Sequence, residues 1–484
     1  MAGPLIMKFG GSSVADEERI RNVAALARAA AAGPRGRSGV LLVSSAIGGA
    51  TDMLVSAGKA AASGDEGAAF ALIEDLIRRH EKIARALFGG RIPDSLAAVF
   101  AEARSDLLPL LKGAALLHEL PPRSADLLYG RGEILSTSLL AAYMDCQWAD
   151  ARRTVITDSN FGAARPDPET IGRLAEKNLK PLLGPGAIAV TQGYIGANAQ
   201  GQPTTLGRGG SDYSASLLGA ALKADEIQIW TDVEGILSAD PRLVPGAQPI
   251  EVLGYDEAAE LAAFGAKVLH PATILPAVEL GIPVTVRNSM KPEGRFTTIS
   301  RNSGSGRPVT ALAGRGPVTV ITVRDARMLG GAGFLARIFE VFGRLMVSVD
   351  LVSTSEVSVS MTLDPGAPID RLEEELSEFA AVRVEEGRAI VALVGEQLRQ
   401  TKGVPAQAFA ALKDISVEMI SLGSNEINLS LVVKKEDSAE AMRRLHAAFF
   451  AQESAAQKNQ CGMVSGGSAS KTPCGARALR GGGA

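Results

Sequence analysis

The sequence predicts an α/β fold with a mostly parallel sheet, followed by a smaller unit that occurs twice. The first prediction rests on short apolar runs ("PLIMKFG", "GVLLVSS", "AIAVTQGYIG", "IQIWTD", "IPVTVRN") that alternate with amphipathic stretches such as "DEERIRNVAALARAA" and "YDEAAELAAFGAKVL". Strands and helices that alternate in this way form parallel sheets covered by helices. The second prediction rests on an internal repeat beyond residue 307.

The repeat consists of two strand-rich segments at an offset of about 70 residues, "SVDLVSTSEVSVSMTL" (348–363) and "SVEMISLGSNEINLSLVV" (416–433). A helical stretch precedes each of them, "GFLARIFEVFG" and "PAQAFAALKDI". A unit of this size buries its sheet poorly alone, so the two units are expected to pair. The predicted organisation is an α/β domain over 1–306, repeat units over 307–388 and 389–450, and a disordered tail over 451–484.

Composition excludes several classes of protein. A chain of 484 residues with 46% hydrophobic residues suits about three globular domains. A net charge of −3 and 4% aromatic residues offer no basic or stacking surface for nucleic acid. Three cysteines and four scattered histidines form neither a disulfide framework nor a zinc-ligand spacing. With no targeting segment and no run near the roughly 18 apolar residues of a membrane span, we expect a cytoplasmic protein without a membrane partner.

The N-terminal stretch "MKFGGSSVADEERI" places a lysine, Lys8, before a glycine pair. In the Walker A loop the lysine follows the glycines, so Lys8 belongs to another design. Ser13, with Asp16 three residues later, is a capping-box-like helix start, which puts Lys8 at the C-terminal end of a strand. Ligands bind at that edge of open α/β sheets, although a surface lysine beside a tight turn fits the fragment about as well.

The most specific string is "TTLGRGGSDYSASLLGAAL" (204–222), a glycine-rich turn that runs into a helix. Backbone N–H groups at the helix start and the guanidinium of Arg208 suit an anion. Asp212 suits a metal, a cationic substrate group or the orientation of a catalytic lysine; a helix N-cap is the comparable structural alternative.

Two further segments complete the pattern. "IWTDVEGILSADPRLVPGA" (229–247) puts Thr231 and Asp232 at a strand end before a loop that carries Arg242, and "FGAKVLHP" (264–271) adds a second lysine, Lys267. Two lysines, glycine turns and an aspartate suit phosphoryl transfer, in which positioning and charge neutralisation do most of the work.

These motifs resemble those of one known family. "MKFGGSSV", "VSSAIGGATD", "YGRGE", "TTLGRGGSDYSA", "WTDVEGILSADPR" and "GAKVLHP" occur in the order of aspartate kinase. Together with the repeat, the chain resembles a monofunctional, lysine-sensitive aspartate kinase over residues 5 to about 450. The resemblance implies a three-layer α/β/α amino-acid kinase domain with two ferredoxin-like ACT domains. It also implies phosphorylation of the β-carboxylate of L-aspartate by ATP with Mg²⁺, the first step toward lysine, threonine and methionine.

The resemblance implies roles for individual residues. Lys8, Asp212 and Lys267 would be catalytic, with Asp212 orienting the lysine. The nucleotide would be held by Lys8, Gly10, Gly11, Ser12, Thr231, Asp232, Arg242 and Lys267. Leu237 stands where the family often has a tyrosine near the adenine, and Ser12 stands where a threonine is common.

The chemistry of L-aspartate provides a separate check on the substrate. Arg208 suits its α-carboxylate, Glu133 suits its ammonium, and Ser45 and Thr51 suit hydroxyl contacts. The β-carboxylate, with a free pKa of about 3.9, is ionised at neutral pH and requires no general base. Substrate oxygens can supply most ligands of Mg²⁺, so no protein metal site is predicted.

The first repeat unit resembles the effector-binding ACT domain of lysine-inhibited aspartate kinases. The implied effector residues are Met328, Phe334, Leu335, Ser348, Asp350, Ser355 and Glu356. A lysine ammonium would need carboxylates such as those of Asp350 or Glu356, whereas the alternative is ordinary strand patterning with Asp350 as a cap or ion-pair partner. Feedback inhibition through the ACT domains would involve two global states, with a homodimer formed through those domains.

Two other functions compete with this prediction. Another amino-acid kinase, acting on glutamate, acetylglutamate or a nucleotide, would share the fold and the phosphate lysines. A catalytically inactive amino-acid sensor would share the repeat units but would not need Lys8, Asp212 and Lys267. A fused homoserine dehydrogenase is not expected, since the roughly 34 residues after the repeats cannot form a dinucleotide domain.

Overall fold

The first 300 residues form a helix-covered sheet, seen in a computed structural model that describes residues 3–33, 38–265, 271–301, 307–329, 331–423 and 426–463. The strands in this part are β1 (Leu5–Phe9), β2 (Val40–Ser44), β3 (Gln147–Ala149), β4 (Ile156–Thr157), β5 (Ile188–Gln192), β6 (Ile195–Asn198), β7 (Pro203–Thr205), β8 (Glu226–Thr231), β9 (Val252–Gly254), β10 (Val284–Asn288) and β11 (Thr297–Ser300). The main sheet has the order β3-β5-β2-β1-β8-β10-β11-β9, and every pairing except β10 with β11 is parallel. The predicted mostly parallel sheet is confirmed.

Helices cover both faces of this sheet. They are α1 (Glu17–Ala32), α2 (Ala50–Ala62), α3 (Glu66–Leu87), α4 (Asp94–Leu117), α5 (Pro122–Tyr129), α6 (Arg131–Met144), α7 (Pro168–Asn178), α8 (Gly210–Leu222), α9 (Tyr255–Ala263) and α10 (Pro271–Glu279). Successive side chains of β1 enter opposite cores, with Met7 packed among α1 to α6 and Ile6 packed among α7 to α10. A strand buried on both faces is apolar throughout, which explains the run "LIM". The three-layer α/β/α domain is confirmed.

The start of α1 differs from the predicted one. Asp16, not Ser13, is the N-cap, and its carboxylate accepts a hydrogen bond from the backbone N–H of Arg19. A 3₁₀ turn over Gly11–Val14 occupies the residues before it. The hydroxyl of Ser13 instead bonds that of Ser289, at 3.0 Å. The predicted capping box therefore does not form, because Ser13 is drawn into a buried contact with a distant loop.

The C-terminal part forms an antiparallel sheet covered by helices. Its elements are β12 (Ala311–Arg324), α11 (Phe334–Arg344), β13 (Val352–Thr354), β14 (Ser358–Leu363), α12 (Ile369–Ser377), β15 (Ala381–Val394), α13 (Val404–Ala411), β16 (Val417–Leu422), β17 (Asn428–Lys434) and α14 (Lys435–Met463). The strand order is β13-β14-β12-β15-β17-β16. The two predicted units thus share one continuous sheet through β12 and β15.

The two units are not arranged strictly in tandem. Ala311–Arg315, which the sequence assigned to the first unit, pairs with Ile390–Val394 of the second. Leu312 shares a core with Leu431 of β17, whereas Ile321, further along β12, shares a core with Ile338 of α11. The first unit is therefore inserted after the opening strand of the second.

The end of the second unit also extends further than predicted. Helix α14 continues through Met463, past residue 450 where the predicted tail begins. The rest of that tail, 464–484, lies outside the described residues. Among the helices that the structure describes, none combines the length and apolar character needed to cross a bilayer.

Candidate active site

The carboxyl ends of β1, β2 and β8 lie side by side at one edge of the main sheet. Lys8, the penultimate residue of β1, is in register with Val43 of β2 and Ile229 of β8. The predicted position of Lys8 at a strand end is confirmed. The loops that leave β1 and β2 lie together with Lys8 at this edge, as expected for the ligand-binding edge of an open α/β sheet.

A cavity of about 600 Å³ opens at this edge. Its lining contains eight residues that the sequence put forward for catalysis, phosphate binding or substrate binding: Lys8, Gly10, Gly11, Ser45, Thr51, Glu133, Arg208 and Asp212. Residues separated by more than 200 positions in the chain thus converge in one site. We call this cavity the substrate cavity.

Lys8 and Asp212 form an ion pair within the substrate cavity. The Nζ of Lys8 lies 2.6 Å from Oδ1 of Asp212, and the two side chains are only 12% and 15% exposed. Asp212 lies in the first turn of α8, whose N-cap is Gly209 at φ 72°. The N-cap alternative for Asp212 is therefore wrong, and its carboxylate instead fixes the ammonium of Lys8 at the strand end.

The two glycines after Lys8 serve different contacts. A Cβ on Gly10 would meet only the Nζ of Lys8, at 3.7 Å, so this side of the turn is open to a ligand. A Cβ on Gly11 would lie 2.8 Å from the carbonyl oxygen of Ala46, in the loop after β2. Gly11 is therefore required for the approach of two protein loops, whereas Gly10 has the geometry predicted for approach to a phosphate.

Glu133 carries the most perturbed carboxyl group of the substrate cavity. It lies in the first turn of α6 and is 3% exposed. Its Oε1 accepts a hydrogen bond from the backbone N–H of Ala46 at 3.2 Å, and its buried Oε2 has no hydrogen-bond partner among the described residues. Burial raises the pKa of Glu133 to about 8. A buried carboxyl with one unmatched oxygen is suited to a cationic ligand group.

The other predicted substrate residues surround Glu133. Arg208 is exposed at the cavity wall, and the described part of the chain provides no partner for its guanidinium. The hydroxyl of Ser45 donates to that of Ser211 at 2.9 Å, and the carbonyl of Ser45 accepts from Ser136 at 2.7 Å. Thr51, at the start of α2, is half-buried. A free guanidinium and a buried carboxyl in the lining of one cavity match the two charged α-groups of an amino acid.

Two positioning residues were missed by the sequence analysis. Arg79 of α3 donates to the carbonyl of Gly48 at 2.6 Å and so holds the loop after β2. Asp126 of α5 accepts hydrogen bonds from the backbone of Gly162 at 3.0 Å and of Thr205 at 2.8 Å, as well as from the Thr205 hydroxyl. Neither residue belongs to a distinctive motif, so each can be recognised only from its tertiary contacts.

Asp126→Asn is expected to lower kcat/KM for the amino-acid substrate about 10- to 100-fold, because the loops that flank Arg208 would shift. An amide oxygen cannot replace both carboxylate oxygens as acceptors. Steady-state kinetics with each substrate varied in turn would measure the effect. An equal change in the KM of the nucleotide, with a lowered melting temperature, would instead indicate general destabilisation.

A second cavity of about 510 Å³ contains two of the predicted nucleotide residues, Asp232 and Arg242. We call it the nucleotide cavity. Asp232, Leu237 and Arg242 line it, and Thr231 at the end of β8 bonds the Asp232 carboxylate through its hydroxyl. Leu261 of α9 contributes a further apolar side chain. A largely apolar lining with a few polar groups is typical of a site for a small molecule or cofactor.

Two predicted nucleotide residues differ from expectation: one is already ion-paired within the protein, and the other lies outside the cavity. Arg242 is held by Asp240, with its Nη2 2.5 Å from Oδ2. Ser12 is exposed outside both cavities, and its carbonyl accepts from Arg19. Lys267, predicted as the second phosphate lysine, lies outside the described residues.

The loop after β10 holds the end of β8 in place. The hydroxyl of Ser289 donates to the carbonyl of Thr231 at 3.1 Å, and the side-chain amide of Asn288 donates to the carbonyl of Asp232 at 3.1 Å. The sequence analysis assigned no role to Asn288 or Ser289. A run of Asn-Ser directly after an apolar strand was the available signal, since such residues commonly fix local backbone.

The predicted effector residues fall into two groups in the first repeat unit. Asp350 is fixed at one end of β14, where its N–H donates to the carbonyl of Thr362, and Ser355 is fixed at the other end by Ser358. The two anchoring residues, Ser358 and Thr362, are four positions apart on the strand, about 13 Å. Glu356 follows Ser355 in the same hairpin turn. One chain therefore does not bring Ser355 and Glu356 to Asp350.

The remaining effector residues lie at the helix that follows β12. Phe334 begins α11 and packs against Phe379 with ring centroids 5.8 Å apart, and Leu335 beside it is 43% exposed. Met328 ends the 3₁₀ turn before this helix, and Ser348 precedes Asp350 in the connection to β13. Asp350 itself is ion-paired with Arg315, at 3.0 Å, so the ion-pair alternative for Asp350 holds in the structure.

The fold and the two cavities define an enzyme that transfers a phosphoryl group to a small, charged acceptor. Sequence comparison agrees with that class. The profile of the amino acid kinase family matches residues 4–288, and that of an ACT domain matches residues 391–449. Lysine-sensitive aspartokinase 3 of Escherichia coli is 37% identical over 463 residues, which cover 93% of this chain and 100% of the relative.

Solved structures show the same relationship. E. coli aspartokinase III in complex with aspartate and ADP, in the R-state, has a TM-score of 0.78 at 38% identity, over 92% of this chain and 99% of the other. The T-state complex with lysine and aspartate has a TM-score of 0.76 at 38% identity, with the same coverage. The chain belongs to the amino acid kinase family and, within it, to the aspartokinases.

Proposed function

We propose that this protein transfers the γ-phosphoryl group of ATP to the β-carboxylate of L-aspartate, the reaction that opens lysine, threonine and methionine synthesis. The observation that carries the proposal is the substrate cavity, where the Lys8–Asp212 ion pair lies in the same cavity as Glu133 and Arg208. The related E. coli enzyme that binds aspartate and ADP supports the same substrates.

The charged groups of the cavity match those of aspartate. The ammonium would occupy the unmatched Oε2 of Glu133, and the α-carboxylate would pair with the guanidinium of Arg208. Ser45 and Thr51 supply hydroxyl groups at the loop after β2. With both α-groups held, the side-chain carboxylate is the free end that remains to meet the nucleotide.

The transfer itself needs positioning rather than proton abstraction. A β-carboxylate oxygen, ionised at neutral pH, attacks the γ-phosphorus; a new O–P bond forms while the bond to the β,γ-bridging oxygen breaks, and ADP leaves. Lys8 neutralises charge on the phosphoryl oxygens, and Asp212 keeps its ammonium at the strand end.

Mg²⁺ fits this site as a metal that enters with the nucleotide. The described residues contain no group of three or more His, Cys, Asp or Glu that could cage a metal ion, and the donors in the substrate cavity are hard oxygens. Asp212, which is ion-paired with Lys8, and the hydroxyls of Ser45 and Ser211 are among those oxygens. When bound, Mg²⁺ would supply charge neutralisation on the phosphates.

We further propose feedback inhibition by L-lysine at Asp350. Lysine-sensitive aspartokinase 3 of E. coli, and the T-state complex of E. coli aspartokinase III with lysine and aspartate, support lysine as the effector. Burial raises the pKa of Asp350, and its buried Oδ2 has no hydrogen-bond partner among the described residues. The side-chain ammonium of lysine is a partner of the required charge.

Asp350→Ala is expected to raise the lysine concentration for half-inhibition roughly tenfold or more, because the effector ammonium loses its counter-charge. The measurement is an inhibition curve for L-lysine at fixed substrate concentrations, with turnover without lysine recorded for each protein. An inhibition curve that superimposes on that of the unaltered protein would remove Asp350 from the site.

A homodimer formed through the first repeat unit is part of the proposal. Large apolar side chains are exposed there: Leu329, Leu335, Phe339, Met346 and Val352. Exposed apolar side chains of this size favour an interaction surface in this unit. A second copy could also bring its Ser355 and Glu356 to Asp350, which one chain does not do. We place the protein in the reducing cytoplasm, with the half-buried Cys146 as a free thiol.

The direct test is ADP release by the purified protein with ATP, Mg²⁺ and L-aspartate, with L-glutamate in parallel and L-lysine or L-threonine in matched samples. Turnover that requires aspartate and falls with lysine is the expected result. Turnover with glutamate alone would indicate the related amino-acid kinase. Lysine binding without turnover on any acceptor would indicate an inactive sensor.

A further inference from the structure

Arg315 joins the predicted effector residue Asp350 to the catalytic domain. Its Nη1 donates to Oδ1 of Asp350 at 3.0 Å and to the carbonyl of Ala263 at 3.3 Å. Its Nη2 donates to Asp364. Ala263 is the last residue of α9, so the guanidinium satisfies a free carbonyl at a helix C-terminus, where positive charge is favoured.

The strand that carries Arg315 also forms a wall of the nucleotide cavity. Leu312, Ala313 and Gly314, directly before Arg315 on β12, line that cavity together with the loop that carries Asp232 and Arg242. The N–H of Leu312 donates to the carbonyl of Ser238 at 2.8 Å. The C-terminal antiparallel sheet therefore contributes directly to the nucleotide cavity.

The same strand contacts the segment that follows α9. Gly265 has φ 106°, and a Cβ there would lie 2.7 Å from the carbonyl oxygen of Gly314. The close approach leaves little room for independent movement of β12 and the end of α9. A displacement of Arg315 would thus be transmitted to the cavity wall and to the end of α9 together.

On the basis of the proposed lysine inhibition, we propose that Arg315 is a positioning residue for the nucleotide cavity and that the effector ammonium displaces it from Asp350. Both are cations that need the same half-buried carboxylate, and Asp350 is 18% exposed. Without effector, Arg315 holds Asp350, Asp364 and α9 together. With effector, the guanidinium is released from Asp350, β12 loses this anchor and the nucleotide cavity changes shape.

Arg315→Ala tests this inference through two measurements, the affinity for L-lysine and the KM for ATP. Removing the competing guanidinium should lower the Kd of L-lysine roughly fivefold or more, measured by calorimetry. The variant without lysine should also have a KM for ATP shifted toward that of the lysine-saturated unaltered protein, and added lysine should change it little. A purely structural loss would weaken lysine binding instead of strengthening it.

Two further variants complete the experiment. Arg383→Ala is the matched control, because it removes an exposed arginine that is paired with Glu385 on the same sheet, at 2.8 Å. Within the described part of the chain, Arg383 makes no hydrogen bond to α9. This variant should bind and respond to lysine as the unaltered protein does. Arg315→Lys keeps the charge without the planar fork and should give intermediate values for both readouts.

The possible outcomes distinguish failure of the proposed role of Arg315 from failure of the proposed lysine site at Asp350. Failure of L-lysine to bind the unaltered protein would overturn the effector site, and the displacement mechanism with it. A different result would overturn only the role of Arg315. In that case L-lysine would bind the unaltered protein and Arg315→Ala with the same Kd and would have the same effect on the KM of ATP in both.

Discussion

Lys8→Ala is expected to lower kcat about 10²- to 10³-fold, which is the usual effect of removing one group that stabilises transition-state charge. Lys8 is the cation at the strand end, fixed by Asp212 at 2.6 Å. Its loss leaves developing negative charge on the phosphoryl oxygens without this partner and leaves Asp212 as an uncompensated anion in the same cavity. Single-turnover and steady-state rates with ATP and L-aspartate would measure the change.

Two comparisons make this result specific. Lys180→Ala removes another lysine–carboxylate pair, the exposed one with Glu176 at 2.6 Å, and should leave kcat unchanged. Asp212→Asn should lower kcat, and combining it with Lys8→Ala should add little, because the two residues act as one unit. Additive losses, or a Lys8→Ala enzyme with unaltered kcat, would show that this ion pair does not serve the transfer.

Glu133→Gln is expected to lower kcat/KM for L-aspartate about 10²- to 10³-fold, since truncating one member of a buried charge pair is strongly unfavourable. The KM of ATP should change far less. The substitution keeps the shape of the side chain, so a loss confined to the amino acid would reflect charge. An equal loss for both substrates would contradict the assignment of Glu133 to the ammonium.

The pH dependence gives a second signature of Glu133. In the free protein the carboxyl, with its pKa raised to about 8 by burial, holds a proton at neutral pH. The substrate ammonium favours the ionised form, so binding releases a proton, and kcat/KM for aspartate should rise with pH until about pH 8 and then level off. In Glu133→Gln this rise of kcat/KM with pH should disappear. A flat profile from pH 6 to 9 in the unaltered protein would contradict the assignment of Glu133 to the substrate ammonium.

Local sequence patterns were sufficient to predict the strand ends and the charged groups placed there. Lys8 follows an apolar strand and precedes glycines, and the segment with Arg208 and Asp212 precedes an apolar helix. Parallel strands align their carboxyl ends, so residues predicted from separate motifs meet in one cavity. Charged side chains beside glycine turns can therefore be predicted as binding groups from the sequence alone.

Contacts between distant segments were not predictable in the same way. Ser13 has the spacing of a capping box, but its hydroxyl bonds Ser289, and Asp16 caps the helix instead. Asp126 orders two loops of the substrate cavity from a helix with no distinctive motif. In each case a tertiary hydrogen bond, which local sequence does not encode, determines the role.

The arrangement of the repeat units also depends on contacts that local sequence does not encode. Similar strand-rich segments revealed two units, and a boundary at 307 followed from the linker composition. The short stretch Ala311–Arg315 carries no repeat signal, yet it pairs with Ile390–Val394 and so belongs to the second unit. This insertion is what brings Arg315 between Asp350 and the catalytic domain.

The central claim is that Glu133 and Arg208 hold the α-groups of aspartate so that its β-carboxylate receives the phosphoryl group. Trapping the acyl phosphate with hydroxylamine tests it most directly, because the amine replaces phosphate at the carboxyl that was phosphorylated. Mass spectrometry and NMR against authentic standards should identify aspartate β-hydroxamate, formed only with ATP and L-aspartate and lost in Lys8→Ala. The α-hydroxamate, or a hydroxamate of glutamate in its place, would contradict the account.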